Sequence, residues 1–141
     1  VTRQPYNEWN PAPVISEAPV ISYAHGYAGT LDLIADIAGL GRVLADLKTS
    51  TGVYGETALQ LAGYRYADKY QDEDGTEHPM PEVDETVVVH IRADGYDVVP
   101  IEAGRAQHRA LLYAAQVAEF CEGARDLVGE PLTRPTVGAA A

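Results

Sequence analysis

Cysteine is nearly absent: Cys121 stands alone in 141 residues. It cannot form an internal disulfide, and with no CxxC or Cys/His cluster the chain offers no thiolate set for zinc or an iron–sulfur cluster. That usage fits a reducing, cytoplasmic setting. No apolar run approaches the roughly 18 residues of a membrane span, and no basic-then-apolar signal peptide opens the chain, so a soluble protein that is not exported is expected. It opens on Val1 rather than Met, which reads as a fragment, a processed chain or a start lying upstream. Positive charge is scarce too: 10 Lys and Arg stand against 21 Asp and Glu, a net charge of −11. Such a balance argues against gripping nucleic acid through a broad basic surface. Much of the excess sits in "DKYQDEDGTEHPMPEVDE" (68–85), where Lys69 faces eight acids. That run reads as a solvated loop, and the remaining surface is only mildly acidic.

What is present suffices for one domain, since a chain of this length buries close to ~70% of its unfolded surface. Residues 1–16 carry Pro5, Pro11 and Pro13 around Tyr6 and Trp9 and read as an irregular segment or the end of a helix. Order is expected from Glu17. "APVISYA" (18–24) has strand composition and His25-Gly26 a turn. From Tyr27 to Ile37, Leu31, Leu33, Ala35 and Ile37 alternate with Thr30, Asp32, Ile34 and Asp36; from Arg42 to Lys48, Val43, Ala45 and Leu47 alternate with Leu44, Asp46 and Lys48. With "AGLG" (38–41) between them, these two strands form a hairpin. A helix over 56–70 buries Leu59, Ala62, Gly63 and Tyr66. A second hairpin turns at Ala93-Asp94-Gly95, and a helix over 103–122 places Ala106, Ala110, Tyr113, Ala114, Val117 and Cys121 at helical spacing. The order is β-β-β-α-β-β-α, an α+β domain over 17–126 with a mixed or antiparallel sheet flanked by helices, followed by a flexible tail over 127–141.

The first hairpin holds the chemistry. A turn at Gly39-Leu40-Gly41 sets Ala38 against Arg42, Ile34 against Asp46 and Asp32 against Lys48, making Asp32 the diagonal neighbour of Asp46. Two carboxylates and an ammonium on one face suit Mg²⁺ or Mn²⁺, hard ions that take oxygen ligands and keep waters. Such a site supports phosphodiester hydrolysis, with the lysine positioning or deprotonating the attacking water. The same three residues also read, more plainly, as a cross-strand ion pair on a wet sheet face.

"GTLD" (29–32), "ADLK" (45–48) on the next strand and "QLAGY" (60–64) on the following helix together resemble the PD-(D/E)XK nuclease superfamily. The likeness is closest to its RecB- and Cas4-like branch, with the phage recombination exonucleases. It covers about 17–67 and implies a restriction-endonuclease-like core. It implies that Asp32 and Asp46 bind metal with the Leu47 backbone carbonyl, that Lys48 is catalytic, and that Gln60 and Tyr64 contact or orient DNA. Glu17 matches an acid often found before the first strand and joins the candidate metal ligands. The family's usual helix ahead of that strand is not legible, and His25 reads as structural or solvent-facing. The iron–sulfur cluster of some members is excluded, because they need four cysteines.

The implied activity is a Mg²⁺- or Mn²⁺-dependent DNA exonuclease of recombination or repair, of phage type, acting as a homo-oligomer or with a partner recombination protein and without a membrane. Arg42, Lys48, Arg65 and Lys69 would form a local basic lip, and weak intrinsic DNA binding is expected. The alternatives are a structure-specific endonuclease on the same core and an acidic DNA mimic or interaction protein.

Overall fold

The computed structural model describes residues 8–136; the expectations for 1–7 and for the end of the tail, 137–141, lie outside the described residues. Three strands come first: β1 (Ala12–Ser22), β2 (Tyr27–Ile37) and β3 (Gly41–Lys48). Helix α1 (Thr57–Arg65) follows, then the short β4 (Lys69–Gln71) and β5 (Glu77–Pro79), the hairpin β6 (Glu85–Arg92) and β7 (Gly95–Pro100), and helix α2 (Arg105–Gly123). The protein is α+β, with one seven-stranded mixed sheet in the order β5-β4-β1-β2-β3-β6-β7. β3 and β6 run parallel and the other neighbours antiparallel. No helix among the described residues is long and apolar enough to cross a membrane.

β1 begins at Ala12, ahead of the expected onset at Glu17, and runs through Pro13 and Pro19. Proline is tolerated there because β4 pairs only with Val20 and Ile21, so the first part of β1 has a neighbour on one side only. The acidic stretch is not all loop. Its first part folds back as β4 and β5, closed by Asp72, whose Oδ1 accepts the Asp74 and Thr76 amides while Oδ2 lies 2.7 Å from His78 Nε2. Pairing of Lys69 and Tyr70 with β1 also ends α1 sooner than the expected 70, since those residues leave the helix to satisfy β1. Arg65, in the last turn, donates to the Val83 and Ala103 carbonyls, each at 3.1 Å, and anchors the segments on either side of the second hairpin.

The β2–β3 register departs by two residues from the expected one. Asp36 faces Arg42, Ile34 faces Leu44 and Leu33 faces Ala45, because Gly41 joins the strand with φ 83° and leaves only Ala38–Leu40 as the loop. An even shift keeps each side chain on its face. Strict alternation fails at one place. Leu31 packs in the main core with Ile34, Leu44, Leu61 and Val88 rather than with Leu33, which belongs with Val43, Ala45 and Val87 on the other side of the sheet. Opposite on β1, Ile15 and Ala18 are likewise both buried, and Glu17 between them takes φ 47°, an uncommon conformation for a residue with a Cβ. Leu47, expected on the apolar face, is exposed.

α1 buries Ala62 and Gly63 as expected and Tyr66, just past its end, packs against the main core, but the centre of the face is Ala58 and Leu61 rather than the half-buried Leu59. α2 packs on α1, where a Cβ at Gly63 would stand 2.8 Å from Leu111 Cδ2, and it buries His108 alone. Its predicted stripe of Ala106, Ala110, Tyr113, Ala114, Val117 and Cys121 faces solvent.

Leu61 is fully buried between α1 and the sheet. Leu61→Ala is expected to cost about 2–5 kcal/mol, seen as a lower urea midpoint at unchanged slope.

Candidate active site

β3 lies between an antiparallel and a parallel neighbour, and the site forms where the antiparallel one parts from it. The β2–β3 pairing ends at Leu33 and Ala45. Just beyond, the Leu47 amide donates not to a strand carbonyl but to Asp32 Oδ2, at 2.8 Å. That bond sets the Asp32 carboxylate near enough to Asp46 for the two negative charges to oppose each other. Asp46 is 4% exposed, and its Oδ2 lies 3.0 Å from Lys48 Nζ yet makes no well-directed hydrogen bond among the described residues. Burial pushes the Asp46 carboxyl above its ordinary pKa; the Lys48 ammonium opposes the shift and the Asp32 carboxylate adds to it.

Lys48 is held from a second side. Its Nζ donates to Gln60 Oε1 at 3.2 Å, and Gln60 Nε2 donates in turn to the Tyr64 hydroxyl at 2.8 Å. Gln60 and Tyr64 are one helical turn apart on α1 and so share a face. The Tyr64 ring lies over Gly29, where a Cβ would come within 2.8 Å of Tyr64 Cε1. The glycine of "GTLD" therefore makes room for the tyrosine of "QLAGY". Asp32, Asp46, Lys48, Gln60 and Tyr64 form one connected row across β2, β3 and α1.

Other expected members stand elsewhere. Glu17 is exposed, at the level of Asp32 in the β1–β2 register, and among the described residues no three His, Cys, Asp or Glu side chains gather as a metal set. The basic lip does not form: Arg42 is bonded to Asp36, Arg65 is spent on two carbonyls and Lys69 lies on β4, leaving Lys48 alone of the four in contact with Asp46. His25 is exposed, with its ring edge-on to His108 at 5.4 Å.

Two supports went unread in the sequence. His90 on β6 pairs with Lys48 in register, is buried, and its Nε2 donates to the Ser50 carbonyl at 2.7 Å, fixing the chain as it leaves Lys48. Its position within "VVVHI", between apolar strand residues, was the available signal. The Tyr27 hydroxyl donates to the Gly63 carbonyl and meets His108 Nε2 at 3.1 Å, tying β2 to both helices. Burial first, then His25 and Arg105, holds His108 below its ordinary pKa.

The buried Asp46 Oδ2, with no hydrogen bond beyond its ion-pair contact with Lys48 and a second carboxylate beside it, has the chemistry of a hard-cation ligand, and Asp32, Asp46 and the Leu47 carbonyl are the oxygens that would hold such an ion. Compared with protein-family models and with curated protein sequences, the chain matches none.

Because the folded pKa of Asp46 exceeds its unfolded value, the native state binds the proton more tightly, and stability falls as pH rises from about 3.8 through the raised pKa. Asp46→Asn cannot ionise. In EDTA it is expected to melt a few degrees above the wild type at pH 7, a gain that vanishes below about pH 4.

Proposed function

We propose that the domain is a divalent-metal-dependent DNA nuclease of the PD-(D/E)XK kind, acting as an exonuclease. The observation that carries this reading is the unbroken row of contacts from Asp32 to Tyr64. Three separate stretches of sequence, each weak alone, meet at one place with the donors and acceptors such chemistry needs. Asp32 and Asp46, with the Leu47 carbonyl, would hold Mg²⁺ or Mn²⁺. When bound, the ion supplies charge neutralisation at the scissile phosphate and a lower pKa for a coordinated water.

The chain's own residues do the rest. Asp46 is kept out of water and poor in hydrogen bonds, with Asp32 alongside, so a cation bound there would compensate a charge that Lys48 offsets only in part. Lys48 spends one N–H on Gln60 and sits against Asp46, and being only partly buried it keeps access to solvent for orienting the attacking water. Gln60 fixes that ammonium, and its other end holds the Tyr64 hydroxyl, which would help position the substrate beside the lysine. With a bound cation against two carboxylates and one lysine, the local sign is no longer that of the acidic surface.

An acidic mimic fits less well. Its acids should be free and arrayed, whereas Asp36 is bonded to Arg42, Asp72 to His78 and Asp97 to Arg92.

The test is digestion of end-labelled linear duplex beside a closed circle, with Mg²⁺ or Mn²⁺. The wild type should degrade the linear DNA and spare the circle, and cutting of the circle would mean an endonuclease. Lys48→Ala should lose at least about 10²-fold in rate while keeping its fold by circular dichroism. Gln60→Ala should lose about tenfold, the scale of one charge-assisted hydrogen bond. If the wild type leaves every substrate intact with either metal, the nuclease reading fails.

A further inference from the structure

We infer that Tyr54 is a stacking platform for an unpaired base, which makes single-stranded DNA, or the frayed end of a duplex, the substrate class of the site. The inference rests on the nuclease reading for where the strand lies, and it deepens that reading.

Charge narrows where a polyanion can approach. Between Asp46 and Asp68 the sequence carries one acid, Glu56, against Lys48 and Arg65, in a chain with 21 acids. That stretch comprises the end of β3, the connecting segment 49–56 and α1, which together hold Lys48, Gln60 and Tyr64. A strand of DNA meets the least repulsion there. Tyr54 stands midway, six residues after Lys48 and six before Gln60.

The connecting segment is fixed at both ends and between them. Near its start, His90 holds the Ser50 carbonyl at 2.7 Å. At the other end the Tyr54 and Gly55 carbonyls accept the Thr57 and Ala58 amides, so Tyr54 is built onto the first turn of α1. It is less than two helical turns, roughly 9 Å, from Gln60. Between these anchors Val53 packs against the main core. With Val53 turned in, its neighbour is turned out: Tyr54 is 56% exposed.

The exposed ring is held. Its hydroxyl lies 3.2 Å from Thr51 Oγ1, and the ring rests beside Gly52, where a Cβ would stand 3.6 Å from Tyr54 Cζ. Ser50 Oγ donates to the Gly52 carbonyl at 2.8 Å and tightens the same turn. An exposed aromatic by itself needs no explanation. This one is tethered at its hydroxyl, on a pinned segment poor in acid, between two members of the row that runs from Asp32 to Tyr64. Base stacking asks for that combination: an apolar ring whose ordering cost is met before the ligand arrives, next to a surface that tolerates phosphate. It also asks for a base outside a duplex, because paired bases have their faces covered by their neighbours.

Binding is measured in EDTA at low salt, where no metal-dependent cutting occurs, by fluorescence anisotropy of an end-labelled oligothymidylate and of a blunt hairpin duplex. The wild type should bind the single strand, and Tyr54→Ala should raise its Kd about tenfold. Tyr54→Trp should bind at least as well as the wild type, and Tyr54→Phe, which keeps the ring and loses the tether, should stay within about threefold. Affinity for the hairpin should not change in Tyr54→Ala. No binding of the oligothymidylate by the wild type, or equal binding by wild type and Tyr54→Ala, overturns the inference. Equal losses in Tyr54→Phe and Tyr54→Ala overturn stacking and leave Tyr54 a brace for the segment through Thr51. Equal losses on strand and hairpin overturn the preference for unpaired bases. Failure of the nuclease reading is told apart by digestion with Mg²⁺: a chain that binds through Tyr54 and cuts nothing loses that reading, whereas one that cuts but binds normally as Tyr54→Ala loses only the platform.

Discussion

Asp46 is a carboxylate that the fold removes from water without giving it a full set of hydrogen bonds, and the local architecture is arranged around that imbalance. Burying an ion without adequate partners is costly unless another charge compensates. Here Lys48 compensates in part, while Asp32 makes matters worse by bringing a second negative group alongside. Two carboxylates held side by side are a cost to stability that the proposed metal site would offset, because a bound cation would compensate both.

The neighbouring elements serve that arrangement. β2 parts from β3 at the level of Asp32, so a side chain replaces a strand carbonyl as acceptor for the Leu47 amide. The same level of the sheet carries the break in alternation on both β1 and β2 and the left-handed backbone at Glu17. Backbone in sparsely populated conformations gathers where a fold has to aim side chains away from the regular pattern. On the far side, parallel pairing with β6 and the His90 bond to Ser50 hold the other end of β3.

Much of the candidate site was legible because it depends on parity. Asp46 and Lys48 stand two apart on one strand and share a face at any hairpin register, so an error of two residues at the Gly39–Gly41 turn left them together. Gln60 and Tyr64 share a face by helical spacing alone. What could not be read was the connection between these groups: that Gln60 would reach Lys48 rather than open solvent, that Gly29 would lie under Tyr64, and that His90 would arrive beside Lys48 from a strand far along the chain. The basic lip failed for a related reason. Composition counts charges, but Arg42 and Arg65 were already committed to partners visible only in three dimensions.

Local chemistry in the sequence determined the α+β class, the two hairpins, the helix positions and the pairing of polar faces, because strand and helix periodicities are short-range properties. Tertiary structure decided the rest. Whether proline-bearing β1 is a strand depends on which of its sides has a neighbour. Whether an acidic run is loop or hairpin depends on whether β1 needs pairing, and that same demand sets where α1 stops. Which face of α2 is buried depends on how little of it α1 can cover. In each case the outcome is set by a partner distant in sequence, whose hydrogen-bonding or packing need outweighs the local preference of the residues themselves.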